Sequence, residues 1–320
     1  MRQYFLALLL ATLSTAGLLA VQEESAAPAE AAPMTEEEIQ AARARVEAEL
    51  AAWETLTKTT VPEEVLRLSQ DFLATFPGSE LTPYVHKSMA LAYQELNDYE
   101  NLVLYFQKTL EALPRDPDVR PFLAVAFAER GENNMAIDYG EEGLAVLETA
   151  EKLPDVPIAA WTAQKDRAKA DAQYAIGLAL LKRAGNDEAV LRRSAEHLEE
   201  ATQLDPAYHR AYFRLGAAYT RLNEADKAIE SFARTVATGG VAADIALEQL
   251  QQIYEILNKD TSEIQPTIEE QRQQIASRVA EKDAMLQQLE MEEAQQLQQE
   301  QEQELQGQEL QEEESYDSCM

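Results

Sequence analysis

Cysteine is almost missing from this 320-residue chain: Cys319 stands alone, so no internal disulfide can form and a disulfide-stapled fold is excluded. Glycine (11) and proline (12) are sparse, while Ala, Leu, Glu and Gln abound, a balance that favours helix over turn-rich sheet. Histidine occurs three times, as His86, His197 and His209, without paired spacing or a cysteine partner, so no zinc site is indicated. A Gly-rich phosphate loop, a G-x-S-x-G elbow and an H-E-x-x-H motif are all absent. Carboxylates do acid–base chemistry only in a shaped pocket, and no sequence feature specifies one. The expectation is therefore a non-enzyme without metal or cofactor. Positive charge is scarce as well. Against 58 Asp and Glu stand 27 Lys and Arg, and the resulting charge of −31 repels nucleic acid and disfavours anionic lipid surfaces.

What is present begins with an apolar stretch. In "MRQYFLALLLATLSTAGLLAVQEES", Arg2 precedes the run Phe5–Leu13, small residues follow, and acid begins at Glu23. This pattern predicts a secretory signal peptide over 1–27, cut near Ala20 or Ala27. The chain is thus expected to be exported and periplasmic. The alternative is an uncleaved anchor over Tyr4–Val21 in the inner membrane, with the rest facing the periplasm; membrane contact follows only in that case. An acidic linker and a first helix are expected over 28–60.

Further along, paired amphipathic segments recur. In "RAYFRLGAAYTRLNEADKAIESFART", Tyr212, Leu215, Gly216 and Tyr219 share one helical face, and Ala228 and Phe232 share another. Asn223 lies at the break, where a left-handed residue ends a helix. Each helix is too short to be stable alone in water. The same layout appears with Met89, Ala90 and Tyr93 before Asn97, then Leu102 and Phe106. It recurs with Leu123, Ala124 and Phe127 before Gly131, then Ala136 and Gly140. Ala90 to Ala124 is a step of 34 residues (124 − 90). A further copy has Ile176, Gly177 and Leu180, then Ser194, Leu198, Ala201 and Pro206, with about five residues added around "AGNDEAVLRR".

A 34-residue helix–turn–helix with small residues at the crossing and Tyr or Phe beside them resembles the tetratricopeptide-repeat family. Repeats are expected near 83–116, 117–150, 170–208 and 209–242, with partial capping units at both ends of a solenoid over 61–260. Leu102 and Ser194 stand where the family usually has Ala, and Gly140 where it usually has an aromatic. The helical pair Thr35–Thr57 and Pro62–Phe76 is similar in spacing to envelope proteins of the outer-membrane assembly lipoprotein type, without their lipid-bearing cysteine. The segment Asp244–Asp260 reads as the lone first helix of a fifth unit. An insert, Glu151–Ala170, parts the second and third units, with Trp161 expected under its loop. The resemblance implies an all-α, right-handed superhelical solenoid of antiparallel helix pairs whose concave groove binds a protein or peptide.

The tail, 261–320, is expected to be a long helix or a disordered acidic segment. From Gln287 to Glu314, 21 of 28 positions are Gln or Glu and none is Lys or Arg. A weak stripe of Ile268, Ile275, Val279, Leu286 and Leu289 precedes it, too irregular beyond Leu289 for a coiled coil.

The expected groove residues are the first-helix positions that the packing stripe leaves over: Tyr84 and Lys87, Phe122, Tyr174 and Lys182, then Arg210, Phe213, Arg214 and Arg221. The Asn with which some family members clamp a terminal carboxylate is missing at Leu91, Val125, Leu178 and Ala217. What remains is an apolar groove with a basic end, suited to carboxylates of a partner or of the chain's own acidic tail. Alternatively, the arginines pair with Glu on a neighbouring unit. The functional reading is an interaction scaffold of the bacterial envelope. The alternatives are an assembly factor or chaperone for envelope complexes and a membrane-tethered scaffold.

Overall fold

Helix starts and stops are encoded locally. Thr35 opens α1 (Glu36–Lys58) with a reciprocal capping box, its hydroxyl accepting from Glu38 N at 3.3 Å while Glu38 Oε2 accepts from Thr35 N at 2.7 Å. Asp98 caps α4 (Tyr99–Ala112) through Asn101 N, and Asp187 caps α8 (Glu188–Leu204) through Ala189 N and Val190 N. The computed structural model describes residues 35–152 and 155–317, with side chains to Gln303. The expected signal segment, the alternative anchor over Tyr4–Val21 and Cys319 lie outside the described residues. Among the described residues there is no strand, and no helix is long and apolar enough to cross a membrane.

The remaining helices are α2 (Pro62–Thr75), α3 (Thr82–Glu95), α5 (Val119–Arg130), α6 (Asn133–Thr149), α7 (Ile158–Arg183), α9 (His209–Arg221), α10 (Ala225–Thr238), α11 (Ala243–Ile256) and α12 (Ile264–Asp317). Four of them end the same way. Asn97, Gly131, Asn223 and Asn258 adopt φ of 58°, 82°, 57° and 52°. In each case the next amide donates back to an aromatic residue's carbonyl, on Tyr93, Phe127, Tyr219 and Tyr254, at 2.9 Å. The stops recur at steps of 34 (131 − 97) and 35 (258 − 223) residues. This closure satisfies end carbonyls that a helix otherwise leaves to water. It also turns each chain reversal at the same helical phase, so every second helix returns onto the apolar face of the first.

The chain divides into two compact units, residues 1–114 and 115–320. In the first, Leu56 of α1, Phe72 of α2, Phe76, Leu81 and Val85 form a core on which Trp53, Leu68 and Leu73 pack. Met89, Ala90, Leu102 and Phe106 close the α3–α4 hairpin. Leu102 is buried at its family-atypical position.

In the second unit, α5–α6, α7–α8 and α9–α10 are successive antiparallel hairpins, and α11 packs on α10. Small residues let the pairs cross closely. A Cβ on Gly177 would stand 2.7 Å from Leu198 Cγ and 3.1 Å from the Ser194 carbonyl oxygen. Ser194, buried where Ala is usual, donates its hydroxyl to the Gly177 carbonyl at 2.7 Å and so brings no unpaired polar group into the crossing. Gly140, where an aromatic is usual, admits Ile176 from α7.

Two expectations need correction. The insert Glu151–Ala170 is mostly helix: from Ile158 onward it forms the first half of a 26-residue α7, so half-buried Trp161 sits in a helical turn and not under a loop. The segment "IAAWTAQKDRAKA" has no Gly or Pro to stop it from continuing into the repeat helix. The added residues near "AGNDEAVLRR" chiefly lengthen helix, since α8 spans 17 residues and α10 spans 14.

The tail is a 54-residue helix, about 80 Å long at 1.5 Å per residue. Its first half is docked. Ile264, Ile268, Gln271 and Ile275 are buried. Gln271 accepts from Arg234 of α10 at 2.8 Å. Arg278 donates to the Thr202 carbonyl at 2.8 Å and to the Tyr212 hydroxyl at 3.1 Å. Lys282 reaches the Leu204 carbonyl and pairs with Asp166 at 3.0 Å. Farther along, Glu293 accepts from Ile158 N at 2.8 Å and pairs with Lys152 at 3.2 Å. Cations thus meet the carbonyl end of α8, and a carboxylate meets the amide end of α7, as the helix dipole favours. Side chains 294–303 are exposed. Among the described side chains, the contacts made by α12 fall on Lys152 and on α7, α8, α9, α10 and α11, and not on Arg210, Arg214 or Arg221, which have other partners. The described part of the acidic tail does not fold back onto those arginines as expected: docking through the Ile264–Ile275 stripe holds it on another face.

Candidate partner-binding site

Two of the nine expected groove residues, Tyr84 and Lys87, lie on α3 in the first unit. Tyr84 is exposed and meets Trp53 edge-on with ring centroids 6.4 Å apart, and Lys87 is half-buried. The other seven lie in the second unit, on the first helices α5, α7 and α9. α7 touches both α5 and α9.

The centre of this face is a carboxylate that sequence reading did not single out. Glu129, in the last turn of α5, accepts a hydrogen bond from the Tyr174 hydroxyl at 2.5 Å. The same carboxylate is gripped by Arg210 and lies 3.8 Å from Arg214 Nη2. Arg210, on the third hairpin, therefore reaches across α7 to the first, as side chains do when they point into a shared concavity. The Arg210 guanidinium lies over the Tyr174 ring, 4.9 Å from its centroid, and Arg214 lies 5.5 Å from the Phe213 centroid. Below them the Tyr208 hydroxyl donates to Asp171 at 2.5 Å, and the Tyr174 and Tyr208 rings stand 5.2 Å apart.

Electrostatics follow from this layering. Burial alone would raise the Glu129 carboxyl, but the Tyr174 hydrogen bond and the charges of Arg210 and Arg214 outweigh it and hold the group below its ordinary range. Asp171 is shifted the other way: burial raises it, and the Tyr208 hydroxyl only partly opposes that. Burial pushes the Tyr174 hydroxyl up to about 12, so it stays a donor across the physiological range. Lys182 donates to the Ala128 and Glu129 carbonyls at 2.6 and 3.0 Å, and burial lowers its ammonium. Arg221 donates to the Leu181 carbonyl at 2.7 Å and to the Gly185 carbonyl, closing the end of α7. Phe213 stays half-buried, edge-on to Phe232 at 5.9 Å, and Phe122 is half-buried on α5.

The site differs from expectation in two ways. Tyr174 is fully buried and forms the floor, because α7 is covered along the whole of Tyr174–Leu181 by neighbours on several sides. The arginines are also not open cations: Arg210 and Arg214 pair with Glu129, the neighbouring-unit pairing weighed as the alternative. Glu129 itself was within reach of the sequence, lying two turns along the helix from Phe122 on one face. Asp171 and Tyr208 carried no periodic signal. Among the described residues, no group of three or more His, Cys, Asp or Glu could hold a metal ion.

A family profile described as "Tetratricopeptide repeat" matches residues 85–121. The chain carries a tetratricopeptide repeat in that segment. The repeat is generally a non-catalytic fold for protein–protein interaction. No curated protein matches the chain. Among solved structures it is similar to a MamA fragment from Desulfovibrio magneticus RS-1, with 20% identity over 61% of this chain and 94% of that one and a TM-score of 0.44. It is similar to Pseudomonas aeruginosa PilF, with 14% identity over 74% and 91% and a TM-score of 0.47. It is also similar to the TPR2AB domain of yeast Sti1 in complex with pHSP90, with 15% identity over 68% and 98% and a TM-score of 0.24.

Proposed function

We propose that this tetratricopeptide-repeat protein is a non-enzymatic interaction scaffold of the bacterial cell envelope that binds a peptide segment of a partner on the face built by α5, α7 and α9. The observation that supports this reading most is the reach of Arg210 across α7 to Glu129, which makes three successive first helices one inward surface. That surface keeps its polar groups accessible: the side chains of Arg210, Arg214 and Glu129 are 38%, 33% and 34% exposed. A solvent-accessible, charged surface with Phe213 beside it suits a peptide better than a buried small molecule. Envelope placement is supported by the apolar stretch Phe5–Leu13 and the acid that follows it.

A photo-crosslinking side chain at Ala217, on the inward side of α9, is expected to capture a discrete partner from envelope preparations. The same group at Asp226, on outward-facing and 91% exposed α10 surface, is not. Equal capture from both positions, or none from Ala217, refutes the reading.

A further inference from the structure

Among the groups at the seat, Tyr174 is held most firmly. Tyr174 is fully buried, and its hydroxyl has one position on the floor. The Arg210 guanidinium lies over that ring and the Arg214 guanidinium over Phe213. The three donors therefore converge on one carboxylate-sized place even without reference to what fills it. Glu129 lies two residues before Gly131, where α5 ends in a left-handed turn, and its side chain, like those of Arg210 and Arg214, is about a third exposed, so the seat is open to solvent.

Such an arrangement lets one carboxylate replace another. The half-buried guanidinium of Arg210 is costly to leave unpaired, but in an exchange it never stands unpaired. The charge around the seat also favours an acidic visitor: Arg167, Lys182, Arg210 and Arg214 act on or beside Glu129, Asp171 and Asp205, an excess of one positive charge (4 − 3) on a chain of −31. Distant surface carboxylates are screened beyond about 8 Å at physiological salt, so this local excess governs. Half-buried Phe213 adds an apolar contact next to the seat.

We propose that the Tyr174–Arg210–Arg214 constellation is a subsite for a glutamate or aspartate side chain in an internal, partly apolar segment of the partner, and that Glu129 is the resident carboxylate occupying it between binding events. This assignment rests on the reading that the α5–α7–α9 face binds a partner. It differs from a grip on a chain terminus, because the visitor is a side chain and the partner's chain continues in both directions.

The test uses the full chain and the Glu129→Ala variant. Two probes are an acetylated and amidated nonapeptide with one glutamate among leucine and serine residues, and its glutamine counterpart. In fluorescence anisotropy, removal of the resident carboxylate is expected to tighten binding of the glutamate peptide tenfold or more and to leave the glutamine peptide unchanged. Sodium acetate is expected to raise the melting temperature of Glu129→Ala above that in sodium chloride of equal ionic strength, with no such difference for the unaltered chain. If Glu129→Ala does not fold, Glu129→Gln, which keeps an acceptor without the charge, is expected to show the tightening in smaller measure. Equal binding of both peptides to a folded Glu129 variant, or no acetate effect on Glu129→Ala, overturns the subsite. Crosslinking from Ala217 that persists alongside such a result leaves the binding face standing and removes only this assignment.

Discussion

Gly216 and Phe232 are in direct contact where α9 crosses α10: a Cβ added to Gly216 would stand 2.8 Å from the phenyl ring. The ring is itself fully buried and has no free side to move toward. Gly216→Ala is therefore expected to cost about 1–3 kcal/mol through overpacking, despite the better helix propensity of alanine. Urea denaturation followed by circular dichroism measures it. An unchanged or higher midpoint would show that the crossing has slack.

The left-handed stop at Asn223, with φ of 57°, makes a second local expectation. A β-branched residue there pays the left-handed steric cost, so Asn223→Val should lose about 1–2 kcal/mol. Asn223→Gly should match the parent or exceed it slightly. The comparison of the two variants in one denaturant series separates backbone strain from any loss of side-chain contact.

Docking of α12 gives a third. Ile268 is 2% exposed, and Ile268→Ala should cost about 2–5 kcal/mol if α12 is an integral layer of the second unit. Deleting residues 288–320, which spares the Ile264–Ile275 stripe but removes the Glu293 ion pair with Lys152 and its hydrogen bond from Ile158 N, should cost less, about 1–2 kcal/mol. Hydrogen exchange on α10 reports the same contrast. A mild Ile268→Ala effect together with a severe deletion effect would reverse the assignment.

Glu129 and Asp171 respond to acid with opposite sign. The Glu129 carboxyl is held below its ordinary value of 4.5, so its stabilisation is full above that value and is lost as pH falls through the lowered one. Asp171 is raised above its ordinary 3.8, so its ionisation costs stability as pH rises from that value through the raised one. Urea midpoints between pH 3 and 7 should fall less steeply on the acid side in Glu129→Gln than in the parent. Asp171→Asn should fall more steeply. Parallel curves for all three would mean that neither group couples to folding.

The repeat was legible because its causes are local. Short amphipathic helices, a left-handed residue at Asn97, Gly131 or Asn223, and small residues such as Gly216 recur at one period, and periodicity survives in a string of letters. The apolar stripe Ile268, Ile275, Val279 was readable too, but its destination was not. A stripe states that a face is buried, and only the turn after Asn258 and the cations Arg278 and Lys282 decide against which neighbour.

The site divides in the same way. Arg210, Phe213 and Arg214 follow from helical phase on α9, which the sequence alone determines along with the helix pairs and the acidic balance. That Tyr174 is a floor, that α7 extends through the expected insert, and that Arg210 meets Glu129 eighty-one residues away were decided by tertiary structure. The physical reason is range. Capping, phase and steric fit act over one or two turns of chain, whereas burial and ion pairing depend on which helices pack side by side, and that is set only when the hairpins stack.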